Sequence, residues 1–341
     1  MSKVPVQHLM NSPRRQRLLG AALGLCALIL LPFVTFNTQA QGAFTPTGPV
    51  KIVVMFPPGG GTDAVARIVG EKLSERWKQP VVVENKAGAQ GNIGTAFGAK
   101  APADGYTLVF AHQGVFTVNP HLYKDMGVNP VRDLVPVARL TQQPYVLVAH
   151  PSVAANNLKE LEALARSQPG KISFGSSASG PQLAVEYFKH TTGVDLLHVP
   201  YKGAGPAVID ALGGNINLLV ANPASVAPHV KAGKLKGLVL FGAEGVDALV
   251  GVPTALEAGY PALADIPEWY GLAVPAGTPT ATVQQLNLDI TAVLADPQVI
   301  QRIRGLGLSP SPSTSEAFAA QIRRDYDRWG DLIKKAGITA N

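Results

Sequence analysis

A strand-then-helix alternation runs through most of this chain and leaves few folds open to it. Val50-Lys51-Ile52-Val53-Val54-Met55 is a compact, β-branched run of the kind that forms a buried strand. Phe56-Pro57-Pro58-Gly59-Gly60-Gly61 breaks it, and Thr62 or Asp63 is placed to cap a helix running to about Trp77. Residues 80–84 read as a second strand, Gly91-Asn92 opens a helix ending near Ala101, and 106–110 form a third strand after an Asp104-Gly105 turn. This rhythm predicts a parallel sheet with helices on both faces. The pattern pauses over the polar, proline-interrupted stretch 119–133. It resumes with strands over 134–140, 145–149, 172–174, 196–199, 216–220 and 236–240, interleaved with helices over 158–167, 181–191, 205–212 and 224–232. Residues 269–274 read as a further strand, Pro279 opens a helix to about Leu294, and a last helix spans roughly 316–335.

Two α/β units of similar size fit the 341 residues, about twice a typical domain. The expected fold class is α/β, with two lobes and a cleft between them. Crossings over 143–149 and 268–273 place residues 41–145 and 270–341 in lobe 1 and residues 146–269 in lobe 2. Hydrophobic residues make up 46% and charged residues 15%, enough apolar surface for a core in each unit.

The first 40 residues read as a cleavable signal peptide rather than as part of the fold. Lys3, Arg14, Arg15 and Arg17 are their only charges; an apolar run over 18–34 and Thr38-Gln39-Ala40 follow. Cleavage is expected after Ala40 and the destination is the periplasm, with the Arg14-Arg15 pair leaving the twin-arginine route open. Cys26, the single cysteine, lies inside the apolar run, and Leu25 before it argues against a lipid anchor. The exported chain then has neither disulfides nor thiolate metal sites, and no metal or cofactor is expected. Without the four leader charges the formal charge of +6 falls to about +2, which is no nucleic-acid footprint.

Three loops lie between a strand and a helix. Pro58-Gly59-Gly60-Gly61-Thr62-Asp63 would present backbone N–H groups at a helix N-terminus, where an anion binds without Lys or Arg. The alternative is a plain tight turn with Asp63 as a cap. Gly175-Ser176-Ser177-Ala178-Ser179-Gly180 and Val199-Pro200-Tyr201-Lys202-Gly203-Ala204-Gly205 have the same placement. Ligands of open α/β sheets sit outside the carboxyl ends of the strands, where all three loops fall. Gly59, Gly61 and Ala64 nearly fit a dinucleotide fingerprint, but Glu84 follows a Pro-led strand and does not complete it. No nucleophile elbow or zinc-protease helix appears, so no catalytic residue is assigned. Histidines such as His112, His121 and His198 are scattered and read as surface or packed residues.

Several segments together make the chain resemble the Bug family, the extracytoplasmic binding proteins of tripartite tricarboxylate transporters. They are Phe56-Pro57-Pro58-Gly59-Gly60-Gly61-Thr62-Asp63, Val83-Glu84-Asn85-Lys86-Ala87-Gly88-Ala89-Gln90-Gly91-Asn92-Ile93-Gly94, Asp104-Gly105-Tyr106-Thr107-Leu108, His198-Val199-Pro200-Tyr201-Lys202-Gly203, and Trp269-Tyr270-Gly271-Leu272 leading to Pro275-Ala276-Gly277-Thr278-Pro279. The resemblance implies a type II-like periplasmic-binding-protein fold that closes on a small carboxylate and docks, as a monomer, on a membrane permease. It implies ligand contacts at Pro58, Gly59, Gly60, Thr62, Asp63, Ser176, Ser177 and Tyr201, and at His112 and Gln113 after the third strand. Ala221 and Asn222 stand near the expected cleft, where relatives often carry an acid; its loss is expected to disfavour ligands with an amino group. A receptor lobe feeding a signalling partner is the alternative function, and an exported enzyme a more distant one.

Overall fold

The computed structural model describes residues 44–338. The leader, with Cys26, lies outside the described residues. Strand β1 (Val50–Val54) feeds helix α1 (Gly61–Trp77), followed by β2 (Val81–Asn85), α2 (Asn92–Ala99) and β3 (Thr107–His112). β1 pairs in parallel with β2 and β3. The glycines of α2 explain its close seat on this sheet. A Cβ at Gly94 would lie 2.5 Å from the Lys86 carbonyl oxygen and 2.8 Å from Met55 Cα, and one at Gly98 2.5 Å from Val109. Only a bare helix face approaches β1 and β3 this closely.

A π-helical turn (Gly114–Val118) and two single helical turns (Asn119–Leu122 and Pro130–Asp133) lead into β4 (Leu134–Ala149). The sequence suggests two strands here, because Thr141-Gln142-Gln143-Pro144 is polar and ends in proline. The structure has one 16-residue strand that changes partners at that point. Up to Pro144 it pairs antiparallel with β9 (Pro267–Pro275); from Tyr145 onward it pairs with β7 (Leu218–Ala221) and β8 (Lys236–Phe241). Proline is tolerated at such a switch, where a strand leaves one ladder for another. β4 thereby joins two sheets, the second completed by the parallel strands β5 (Ser173–Ser176), β6 (Leu197–Pro200) and β7.

Helices α3 (Leu158–Ser167), α4 (Ser179–Thr192), α5 (Ala204–Leu212) and α6 (Pro223–Lys231) cover the second sheet. After β9 come α7 (Thr280–Leu294), α8 (Pro297–Gly305) and α9 (Ser315–Ala336). The sequence reading leaves α8 unassigned. Helix α9 spans both cores: Phe318 and Ile322 pack with the first, Trp329 and Ile333 with the second. Among the described residues, no helix is long and apolar enough to cross a membrane.

Candidate functional site

The carboxyl ends of β1, β3, β5, β6 and β7 all open on one cavity of about 90 Å³. Helices α1, α4 and α5 begin at its wall. Their N-cap residues Gly60, Ala178 and Gly203 make no side-chain capping bond, so first-turn N–H groups are left for another acceptor. Helix α6 also starts there but is capped, Asn222 Oδ1 accepting from the Ser225 N–H at 3.1 Å. The dipoles of four helices converge on one small space, which therefore favours an anion. Among the described residues, no Lys or Arg lines it.

Loops from the two sheets meet over this cavity. A Cβ on Gly61 would lie 3.1 Å from Asn222 Oδ1, and one on Gly203 3.3 Å from Pro57. Deeper in, Gly114 faces Gly180 backbone to backbone: a Cβ at Gly114 would come within 2.6 Å of the Gly180 nitrogen.

Pro58, Gly60, Thr62, His112, Ser177, Ala221 and Asn222, all singled out from sequence, line the cavity. Five others stand behind the wall. Asp63 is a structural clasp: its carboxylate accepts from the Gly59 N–H at 3.1 Å, Arg67 Nε at 3.0 Å and Asn85 Nδ2 at 3.1 Å. Gly59 takes the left-handed turn (φ 92°) that this clasp closes. Gln113 is fully buried, accepting from Tyr145 OH and donating to Thr117 Oγ1, each at 3.1 Å. Ser176 Oγ hydrogen-bonds His198 Nε2 at 2.8 Å. Tyr201 turns away to donate to Asp210 Oδ2 at 2.7 Å, and burial with that carboxylate pushes its phenol up to about 12.

Burial works to raise the Asp63 carboxyl, but the Arg67, Gly59 and Asn85 bonds outweigh it and hold the group below its ordinary value. Its stabilisation is thus present above the ordinary carboxylate range and is lost as pH falls through the folded value. Asp63→Ala is expected to cost about 1–2 kcal/mol in urea unfolding at neutral pH, by taking the shared acceptor away from the part-buried Gly59, Arg67 and Asn85 donors. The difference from the parent should shrink in acid.

At His198 the cost of burying a charged ring outweighs its hydrogen bonding. Burial, with Lys189 adding, lowers it to about 4. The unfolded chain therefore binds a proton first, and stability falls as pH drops from about 6.5 towards 4. Discounted for partial exposure, the loss should be on the order of 1–2 kcal/mol. His198→Gln should remove it, as read by unfolding midpoints at pH 7 and pH 4.5.

The sequence reading misses Glu268 and Tyr270, which also line the cavity. Glu268 is 1% exposed, and its Oε1 accepts from Tyr270 OH at 3.0 Å and its Oε2 from Gln143 Nε2 at 2.9 Å. Burial, with Glu268 beside it, keeps the Tyr270 phenol well above its usual range, so it remains a donor. A charged residue inside the apolar run 266–274 was the available signal. Among the described residues no cluster of His, Cys, Asp and Glu could hold a metal ion.

Residues 65–338 match the family described as "Tripartite tricarboxylate transporter family receptor". The chain belongs to this family. Protein BugT of Bordetella pertussis (strain Tohama I) is a relative, 35% identical over 86% of this chain and 90% of its own length. Three solved structures are similar along nearly their whole length. The periplasmic binding protein BugD superposes with a TM-score of 0.81 at 34% identity, covering 87% of this chain and 100% of its own. R. palustris Rpa4515 with adipate does so with 0.82 at 33%, covering 86% and 99%. MatC (Rpa3494) from Rhodopseudomonas palustris with bound malate does so with 0.80 at 29%, covering 84% and 99%. This receptor thus has the two-lobed periplasmic-binding-protein fold, and its family consists of solute-binding proteins.

Proposed function

We propose that this receptor captures a small carboxylate in the periplasm and hands it to the membrane permease of a tripartite tricarboxylate-type transporter. The observation that carries the reading is the convergence of the α1, α4 and α5 N-termini, uncapped by side chains, on a cavity that no Lys or Arg lines among the described residues. A carboxylate accepts several backbone N–H bonds in such a place, and closing the site removes the water that would compete for them. The adipate and malate found with its structural neighbours are acids of this kind. In this reading the described residues of 41–145 and 270–341 form one lobe and 146–269 the other, β4 and the entry to β9 are the hinge, and ligand closes the lobes. Gly60, Thr62 and Ser177 hold the carboxylate. Gly59, Asp63, Gln113, Ser176 and Tyr201 support the loops that do so. No bond is made or broken: delivery needs reversible binding.

A thermal-shift screen against mono-, di- and tricarboxylates, amino acids and aromatic acids tests this. Ligand at a hundred times its dissociation constant stabilises by about 2.7 kcal/mol, roughly 4–5 °C for a chain of this size. Such a shift with a carboxylate, unchanged by metals or nucleotides, is the expected result. A flat screen with protein freed of carried ligand by unfolding and refolding would overturn the reading.

A further inference from the structure

The cavity lining holds two unlike kinds of group: the helix N-termini and Glu268, among the described residues the single acidic side chain there. A carboxylate has about four acceptor positions. Glu268 receives Gln143 Nε2 at 2.9 Å and Tyr270 OH at 3.0 Å, while His112 Nε2 stands off at 3.5 Å. His112 Nδ1 accepts the Gly114 N–H at 3.1 Å, which leaves Nε2 as the hydrogen-bearing nitrogen of the neutral ring. Tyr270 is itself held by Asn222 Nδ2 at 3.0 Å, so its hydroxyl hydrogen is directed at Glu268. None of these partners is a Lys or Arg. A carboxylate buried with so few donors is stabilised by any further donor that reaches it, and most by a cation.

We propose that Glu268 determines specificity in this cleft, selecting a carboxylate that also carries a hydrogen-bond donor, an ammonium ahead of a hydroxyl. This rests on the carboxylate-binding reading above. The ligand's carboxylate meets the helix N-termini and its donor meets Glu268. A plain dicarboxylate sets a second negative charge against a buried like charge and is selected against. The sequence expectation points the other way, because Ala221-Asn222-Pro223 lacks an acid after β7. The structure brings an acid to the same cavity from β9.

The test is calorimetric titration of the refolded, ligand-free protein with two near-isosteric sets. One is β-alanine, 3-hydroxypropanoate and butanoate; the other is L-alanine, L-lactate and 2-methylpropanoate. Malonate and succinate complete the panel. In at least one set the ammonium form is expected to bind about tenfold or more tightly than the methyl form, with the hydroxyl form between them. Glu268→Gln keeps the shape and removes the charge. It is expected to erase that preference and to raise the affinity for succinate or malonate. Methyl or dicarboxylate forms binding as tightly as the ammonium form, or an unchanged ranking in Glu268→Gln, would overturn the selectivity and leave carboxylate capture standing. If no acid of the panel binds the parent protein, the selectivity falls, and the wider carboxylate screen decides capture separately. Should Glu268→Gln not fold, Tyr270→Phe decides. Removing a donor from Glu268 should raise the ammonium preference, and an unchanged or lower preference overturns the proposal.

Discussion

Gly61→Leu is expected to weaken carboxylate binding by about a hundredfold while leaving the unfolding midpoint within a few degrees of the parent. Gly61 opens α1 in ordinary helical backbone, so a side chain there costs nothing in its own conformation. The difficulty lies across the cleft. A Cβ already stands 3.1 Å from Asn222 Oδ1 and 3.4 Å from Ala224 Cβ, and a leucine projects further into the space these residues occupy. The two loops must then stay apart, and the N–H groups of α1 and the wall formed by Asn222 and Tyr270 no longer face one ligand. Ligand affinity falls by the fraction of molecules still able to close. Gly61→Ala, with only the Cβ to fit, should lose far less. Calorimetry gives the affinities, and small-angle scattering should show the leucine variant failing to contract when ligand is added.

Gly94→Ala should have the largest effect on stability. Its Cβ would press on the Lys86 carbonyl oxygen and on Met55 Cα, both backbone atoms that no rotamer change can move. Overpacking of this kind typically costs 1–3 kcal/mol, and the upper end is expected where backbone must shift. The midpoint should drop by roughly 3–5 °C. Helix α2 braces the segment leaving β1, so binding should weaken as well. Gly193→Ala is a useful contrast: a Cβ there meets nothing within 4 Å, although φ is 71°. Its cost should be the smaller one of a strained left-handed residue, about 1 kcal/mol.

The alternation of β-branched runs with amphipathic stretches made most of the fold legible. The β1–α1 loop stood out because the Pro57-Pro58-Gly59-Gly60 run breaks the strand and is a poor helix former. Residues whose backbone faces the cavity were found this way, since loop position alone predicts them. Residues acting through side-chain pairing were harder to sort. Asp63, Gln113, Ser176 and Tyr201 sit beside the cavity in sequence but turn towards Arg67, Tyr145, His198 and Asp210; the i,i+4 spacing of Asp63 and Arg67 was a readable signal, whereas no local pattern encodes the distant partners Tyr145 and His198. Glu268 and Tyr270 were missed because β9 reads as packing, and only the sheet pairing brings it to the cavity wall. The single strand β4 was missed because Pro144 looks like a terminator until its position at the sheet switch is known.

The most direct measurement is a crystal structure of this receptor with its tightest carboxylate. The predicted result is a carboxylate group accepting backbone N–H bonds at the start of α1 and of α4 or α5, with no Lys or Arg within hydrogen-bond distance. A carboxylate held by a surface Lys or Arg, or lying in a groove away from Gly60, Thr62 and Ser177, would contradict it.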